Sequence, residues 1–299
     1  MLKARNIWRV DTLIHQVIGD FTRMLLTEKQ AQVDKLKGWL DGFRPLPAAV
    51  VAELKQLFDV RFTYNSNAME GNTLTQSETQ LVLEKGITVG GKTLREHLEV
   101  VGHRDAIAYI ESLSQKDKAI KDKAISEWEI RQIHSVLFNT IDRAEAGRYR
   151  QLDVKAAGTD YTYPPHYVLA ELMAEFVGWL NAEETYQLHP VTYAAEAHCR
   201  FVSVHPFRDG NGRTGRLLMN LLLLRQGYPV VVISNQQRSA YIEALVQAQQ
   251  HDNLSGLQEL LLESTQTSLV EVLRVVVTAI ESQGKGKAFY DEMLAFLGD

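Results

Sequence analysis

The chain has 299 residues, of which 45% are hydrophobic and 23% are charged, a composition typical of a folded globular protein rather than a disordered or fibrous one. Its formal net charge of −5 argues against a nucleic-acid-binding or anionic-membrane-binding protein, because it provides no overall positive field. The single cysteine, Cys199, excludes an internal disulfide and a thiolate zinc cluster, and is typical of a reducing compartment. We find no signal-like start and no run of about 18 apolar residues. The expectation is a cytoplasmic protein with no membrane segment.

Apolar residues recur at helical spacing along most of the chain. This periodicity predicts helices over residues 8–37, 50–58, 75–84, 93–113, 126–137, 168–180, 190–204, 214–226, 239–249, 254–282 and 289–296. Ser126, followed three residues later by Glu129, and Pro190 fit helix N-termini. Residues 151–154 and 161–163 flank a glycine-containing tip and predict a short β-hairpin that can act as a flap. Residues 282–287 are the one linker-like stretch. A mostly helical protein is therefore expected.

The segment from His205 to Arg216 reads HPFRDGNGRTGR and combines groups that a polyphosphate site needs. Its glycines allow successive backbone N–H groups to converge on an anion, and the helix that starts near Arg213 adds its N-terminal amides and dipole. Arg213 and Arg216 supply two cations on one helix face. Asp209 is a hard oxygen ligand for a phosphate-bound magnesium ion, and His205 can accept a proton near pH 7. Glycine and charge alone would favour a structural loop that opens a buried helix.

The complete segment resembles the HPFxxGNGRxxR signature of the Fic domain family at all eight fixed positions. Looser similarity to the family extends over about residues 61–250 and includes the segments 133–138, 147–150, 163–165 and 238–245. The resemblance implies an all-α Fic fold with a small β-hairpin flap. It divides the chain into an N-terminal helical region (1–90), a catalytic core (91–250) and a C-terminal helical extension (251–299).

The resemblance also implies an enzyme that transfers AMP from ATP to a Ser, Thr or Tyr hydroxyl of a protein. His205 would deprotonate the hydroxyl, Asp209 would hold Mg²⁺, and Phe207 would anchor the loop in the core. Tyr241 would line the base or ribose pocket, although a core or interface aromatic is an equally good interpretation. The hairpin would hold the target segment as an added strand.

The remaining loop residues are expected to bind the nucleotide's phosphates. Asn211 and the amides around Gly210 and Gly212 would stabilise charge on the α-phosphate, with Arg213 at the β-phosphate and Arg216 at the γ-phosphate.

A second segment, Ser66 to Gly71, resembles the family's inhibitory motif at Ser66, Glu70 and Gly71. In such proteins the glutamate pairs with the second motif arginine, here Arg216, and blocks the γ-phosphate position. Alternatively, Ser66 or Asn67 caps the start of a helix and Glu70 is a solvated acid of its first turn. The resemblance favours built-in inhibition, although the same glutamate can instead position water for removal of AMP.

Several other features favour a structural interpretation. His97 and His103 lie six residues apart, which is wrong for a metal-binding helix face, and Cys199 is expected to be inert. The leucines of residues 257–277 predict core or a helical interface, and a homodimer is expected.

The main hypothesis is a self-inhibited protein adenylyltransferase that acts on a protein substrate and modifies itself, with no nucleic-acid or membrane partner. The alternatives are removal of AMP or another nucleotidyl or phospho-transfer on the same fold, and a catalytically vestigial nucleotide-sensing interaction module.

Overall fold

A computed structural model describes residues 2–115, 124–155, 161–280, 284 and 286–298, with side chains described from residue 21 onward. Its helices are α1 (Leu2–Asp41), α2 (Ala48–Ala68), α3 (Gln76–Lys85), α4 (Leu94–Gln115), α5 (Glu127–Phe138), α6 (Leu169–Leu180), α7 (Pro190–Val204), α8 (Asn211–Arg225), α9 (Arg238–His251), α10 (Ser255–Ala279) and α11 (Tyr290–Gly298). No strand forms within the described residues, so the predicted all-α class is confirmed. Over the same residues, no helix has the length and apolar character needed to cross a membrane.

The two ends of the chain pack together, because α1 lies along α10. Val33, Leu36 and Leu40 of α1 are buried in the same core as the α10 leucines. Those α10 residues are therefore core, one of the two roles that the sequence predicts for them. The boundaries at residues 90 and 250 stay a prediction.

Helix α8 occupies the centre of the fold, with α4, α5 and α7 packed around it. Leu217, Leu218, Leu221 and Leu223 are fully buried, since the helix is apolar on more than one face. The core therefore fixes the position of the N-terminus of α8, where the candidate site lies.

The capping predictions are confirmed at two helices. Ser126 and Glu129 form a reciprocal capping box at α5, and Pro190 occupies the first position of α7. Helix α8, however, begins at Asn211 rather than near Arg213 or Thr214. The earlier start places Arg213 in the first turn of the helix.

The predicted hairpin region has no regular secondary structure in residues 151–155 and 161–163, and its tip at 156–160 lies outside the described residues. Side chains join the two arms at their base, where the backbone N–H of His166 donates to Asp153 (2.8 Å) and Arg150 donates to the Pro164 carbonyl (2.5 Å). The β-hairpin itself stays a prediction. Most of the linker-like stretch at 282–287 also lies outside the described residues.

Candidate active site

His205 lies immediately after α7 and ends that helix in a left-handed conformation, with φ 51°. Its Nδ1 donates to the Val202 carbonyl (3.2 Å), so Nε2 carries the lone pair. The Tyr163 ring covers the imidazole at a centroid distance of 3.9 Å. Burial lowers the pKa of His205 to about 4, and the ring is therefore neutral at pH 7. A neutral imidazole with a free Nε2 can accept a proton.

The Asn211 side chain closes the loop that follows His205. Its Oδ1 accepts from the Phe207 N–H (2.9 Å), and its Nδ2 donates to the Phe207 carbonyl (2.8 Å). Phe207 is fully buried, as the sequence predicts for the loop anchor. The Asn211 amide therefore already has partners on both sides, and its predicted contact with an α-phosphate stays a prediction.

His134 of α5 supports the same loop from below. Its ring stacks on Phe207 (3.7 Å between centroids), while its Nδ1 accepts from the Gly147 N–H and its Nε2 donates to the Asp209 carbonyl (3.1 Å). Burial lowers the pKa of His134 to about 4, which keeps this ring neutral. Arg150 holds the other end of the loop, because its Nε donates to the His205 carbonyl (2.9 Å).

The N-terminus of α8 leaves backbone amides available, and the predicted anion site there stays a prediction. The helical hydrogen bonds begin with Thr214 N–H to the Gly210 carbonyl (2.9 Å), so the three preceding amides lie outside the helical ladder. Gly210 has φ 78°, and a Cβ there would lie 2.2 Å from the Phe138 ring. A Cβ at Gly212 would lie 2.4 Å from Glu70 Oε1. Gly210 is therefore required in this conformation, whereas a side chain at Gly212 would displace the Glu70 carboxylate.

The two motif arginines are each 2% exposed but have different surroundings. Arg216 lines the cavity that contains His205, whereas Arg213 faces Asn67 (Nη1 to Oδ1, 3.4 Å) and Glu99 (Nη1 to Oε1, 3.5 Å). Within the described residues, the Arg213 Nε has no hydrogen-bond partner. Among the described residues, Arg216 is therefore part of the cavity lining and Arg213 is not.

Glu70 pairs with Arg216 across the cavity. Arg216 Nη2 donates to Glu70 Oε1 (2.7 Å) and to the Ser66 carbonyl (2.8 Å), and Arg216 Nε donates to Ser66 Oγ (3.0 Å). Burial raises the pKa of Glu70, but attraction to Arg216 and Arg213 outweighs it and leaves the pKa below its ordinary value. Glu70 is therefore ionised at neutral pH, and its side chain is 37% exposed toward the cavity.

The alternative interpretation of Ser66 and Glu70 as the start of a helix is wrong. Ser66 lies in the last turn of α2, and Glu70 follows the end of that helix at Ala68. Glu70 and Gly71 line the cavity, and Ser66 is joined to the site by its hydrogen bonds with Arg216.

A cavity of about 480 Å³ connects these groups. Helix α9 forms one wall, which is cationic at Arg238 and apolar further along at Ile242 and Leu245. Tyr241 lines the cavity too, and its hydroxyl contacts His198 Nε2 (2.7 Å) and Arg216 Nη1 (3.4 Å). Its ring is therefore both a core aromatic and part of the pocket, in line with the two interpretations from sequence.

Asp209 lies at the cavity with its side chain 54% exposed. Its Oδ1 accepts from the Gly210 N–H (2.6 Å) and its Oδ2 from Arg95 (2.9 Å). The described residues contain no group of three His, Cys, Asp or Glu side chains able to hold a metal by themselves. The donor set fits Mg²⁺, since this ion is commonly held by one or two carboxylates together with substrate phosphates.

The other singled-out polar residues have structural contacts. His97 accepts from the Val89 N–H (2.9 Å) and contacts the Thr93 carbonyl (2.7 Å), and His103 Nδ1 lies 3.2 Å from Thr63 Oγ1. Cys199 is buried, and burial raises the pKa of its thiol, in agreement with an inert cysteine.

Four residues near the site, Arg95, His134, Arg150 and Arg238, received no role from sequence. His134, Arg150 and Arg238 lie in segments that resemble the family, which was the available signal. Arg238 donates from Nε to the Met69 carbonyl (2.9 Å), beside Glu70. Arg95 lies 114 residues before Asp209 in the chain, and no local pattern connects the two.

Comparison with known proteins agrees with this geometry. The sequence profile of the Fic/DOC family matches residues 124–223. The protein adenylyltransferase Fic of Drosophila melanogaster is 45% identical over 239 residues, which are 79% of this chain and 46% of that relative. The corresponding protein of Culex quinquefasciatus is 38% identical over 221 residues, which are 74% of this chain and 43% of the relative. The chain thus spans about half the length of the curated relatives it matches.

Solved structures show the same fold. Fic-1 (residues 134–508) from C. elegans has a TM-score of 0.76 and 29% identity, covering 88% of this chain and 75% of that chain. A Fic domain containing signaling protein from Bacteroides thetaiotaomicron has a TM-score of 0.74 and 28% identity, covering 83% of this chain and 98% of that chain. With the helical fold and the complete loop at the N-terminus of α8, these similarities show that the chain belongs to the Fic/DOC family.

Proposed function

We propose that this chain is a self-inhibited protein adenylyltransferase, which transfers AMP from ATP to a Ser, Thr or Tyr hydroxyl of a protein. The curated relatives bear the name protein adenylyltransferase Fic. The observation that carries the proposal is the meeting, in one cavity, of neutral His205, the N-terminus of α8, and Arg216 paired with Glu70.

The chemistry begins at His205. Its Nε2 takes the proton of the target hydroxyl as the oxygen attacks the α-phosphorus of ATP, and the bond to the β-phosphate oxygen breaks so that pyrophosphate leaves. The Val202 carbonyl oxygen accepts a hydrogen bond from His205 Nδ1 (3.2 Å), which stabilises the tautomer that this step needs.

The polar and apolar parts of the cavity lining support one orientation of the nucleotide. The apolar wall at Ile242 and Leu245 suits the base, and the amides at the N-terminus of α8 suit the phosphates. Asp209 would hold Mg²⁺, which would supply charge neutralisation at the phosphates when bound. Arg216 would bind the terminal phosphate once Glu70 has released it.

Inhibition follows from competition for one guanidinium. Glu70 and a γ-phosphate cannot both occupy Arg216 Nη2, because a buried guanidinium offers each donor in one direction. In this state ATP would bind without its terminal phosphate in the productive position.

Target binding and assembly complete the proposal. Arg150 and Tyr163, near the two ends of the predicted hairpin flap, contact His205, and the flap would hold a target chain as an added strand. Leu94 at the start of α4 is 70% exposed, and with Ile87 it supports a homodimer interface. We place the protein in the cytoplasm, in line with its single cysteine.

Incubation with ATP and Mg²⁺ tests the proposal with three proteins: wild type, Glu70→Gly, and Glu70→Gly combined with His205→Ala. We expect strong AMP incorporation, detected as added mass on the protein itself or on lysate proteins, for Glu70→Gly alone. If all three stay unmodified while ATP binds, adenylyl transfer is refuted in favour of a nucleotide-sensing module. Release of AMP from pre-modified proteins by wild type, with no transfer by any variant, would instead identify a removal enzyme.

A further inference from the structure

Asp209 forms a ring of four charged side chains with Arg95, Glu99 and Arg213. Arg95 Nη2 lies 2.9 Å from Asp209 Oδ2, and Arg95 Nε lies 3.3 Å from Glu99 Oε1. The same Glu99 oxygen lies 3.5 Å from Arg213 Nη1, and Arg213 Nη2 lies 3.7 Å from Asp209 Oδ1. Positive and negative charges therefore alternate around the whole ring.

The ring gives each carboxylate oxygen of Asp209 a partner. Its Oδ1 accepts from the Gly210 N–H and faces Arg213, while its Oδ2 is taken by Arg95. A divalent cation that coordinates Asp209 directly needs one of these oxygens, and a guanidinium on that oxygen competes with it for both the lone pair and the charge.

The contacts of the ring differ in how easily they open. Arg213 is buried and Glu99 nearly so, whereas the Arg95 side chain is 57% exposed. An exposed ion pair contributes little to stability, so Arg95 is the member that can leave Asp209 at low cost. It would keep its contact with Glu99 after leaving.

We propose that Arg95 is the counter-ion of Asp209 in the cation-free protein and that a divalent cation displaces Arg95 on binding. This arginine then sets the cation affinity of the site. The inference rests on the proposed function, because the cation is taken to bind with the nucleotide. Arg95 is a positioning residue that acts through Asp209. Its removal should therefore increase cation affinity, which loss of a merely structural contact would not do.

Titration of the full-length chain with Mn²⁺, followed by electron paramagnetic resonance in the presence of a non-hydrolysable β,γ-imido ATP analogue, tests this directly. Arg95→Gln should lower the Kd for Mn²⁺ about two- to fivefold, and Arg95→Lys should lie between it and wild type. The matched control is Arg104→Gln, also on α4, where the arginine pairs with Asp105 (2.9 Å) away from the cavity. The difference in Kd between Arg95→Gln and wild type should decrease at high salt, because exposed charges are screened.

An unchanged or weaker Mn²⁺ affinity in Arg95→Gln would overturn the inference. Equal Kd values for wild type and Asp209→Asn would also overturn it, since the cation would then not bind Asp209 at all. Neither result depends on turnover, so failure of the inference is distinguishable from failure of AMP transfer by Glu70→Gly.

Discussion

Replacing Glu70 by glutamine and by glycine should raise the rate of AMP transfer in two steps. Glutamine retains an oxygen near Arg216 but removes the negative charge, and glycine removes both. The contact is a short charge-assisted hydrogen bond of 2.7 Å to an arginine that is almost fully buried.

The size of each step follows from that contact. A hydrogen bond between charged groups is worth about 1.5–3 kcal/mol, and the exposure of Glu70 toward the cavity places the value in the lower part of that range. Complete removal should therefore raise the rate about 10- to 30-fold, at about 1.4 kcal/mol per tenfold change. A neutral hydrogen bond is worth about 1 kcal/mol less than a charged one, so Glu70→Gln should be about fivefold faster than wild type.

The assay is the initial rate of transfer from α-labelled ATP at saturating Mg²⁺, with Glu53→Gln as control because Glu53 is exposed on the same helix α2. The pKa of Glu70 lies below its ordinary value, so the carboxylate stays ionised as pH falls to the ordinary carboxyl range. The ratio of the transfer rate of Glu70→Gly to that of wild type should therefore be the same at pH 6.5 and pH 8.5. Equal rates for wild type and Glu70→Gly would refute the reasoning, as would a pH-dependent ratio.

Three further outcomes are expected. Burial holds the pKa values of His134 and His198 at about 4, below the unfolded value near 6.5. The free energy of unfolding should therefore be highest above pH 6.5 and decrease as the pH drops toward 4. In urea titrations the decrease between pH 7 and pH 5 should be about 2 kcal/mol per histidine. Asn211→Ala should lower the free energy of unfolding by about 2–4 kcal/mol, because it leaves the buried N–H and carbonyl of Phe207 unpaired. Arg238→Ala should raise the transfer rate of the otherwise wild-type chain about two- to tenfold, because the hydrogen bond from Arg238 to the Met69 carbonyl holds the inhibitory segment. In the chain that lacks the inhibitory carboxylate, the same substitution should not raise the rate.

Each of these has a result that would contradict it. A constant free energy of unfolding from pH 7 to 5 would show that the buried histidines are not shifted. Asn139→Ala, at an exposed position after α5, should leave the free energy of unfolding unchanged. Equal decreases for Asn139→Ala and Asn211→Ala would show that burial of the Phe207 backbone groups is not the cause. If Arg238→Ala raised the transfer rate equally with and without Glu70, Arg238 would act on the nucleotide rather than on the inhibitory segment.

Helices, caps and the loop were accessible from sequence because each depends on residues close together in the chain. Ser126 and Glu129 form their capping box within one turn, and the leucines after Arg216 define a buried helix by spacing alone. The inhibitory motif was found by resemblance, since its local pattern at Ser66 and Glu70 also fits a helix start.

What sequence could not supply was the direction of the side chains. Asn211 and Arg213 look alike as phosphate ligands in the motif, yet one closes the loop on Phe207 and the other points toward Glu99. Contacts across more than a hundred residues form two of the ion pairs at the site, Arg95 with Asp209 and Arg216 with Glu70. Spacing rules describe neighbours along one element and carry no information on such pairs.

Glu70 and Arg216 are 146 residues apart in a single chain, and this linkage has a consequence for control. A tethered group competes at a fixed effective concentration, which for short flexible tethers lies in the millimolar range and which no dilution of the protein can lower. Under the proposed inhibition, the specific activity of the isolated chain would be independent of its concentration. Activation must then come from a binding event or a substitution that changes the relative stability of the paired and unpaired states.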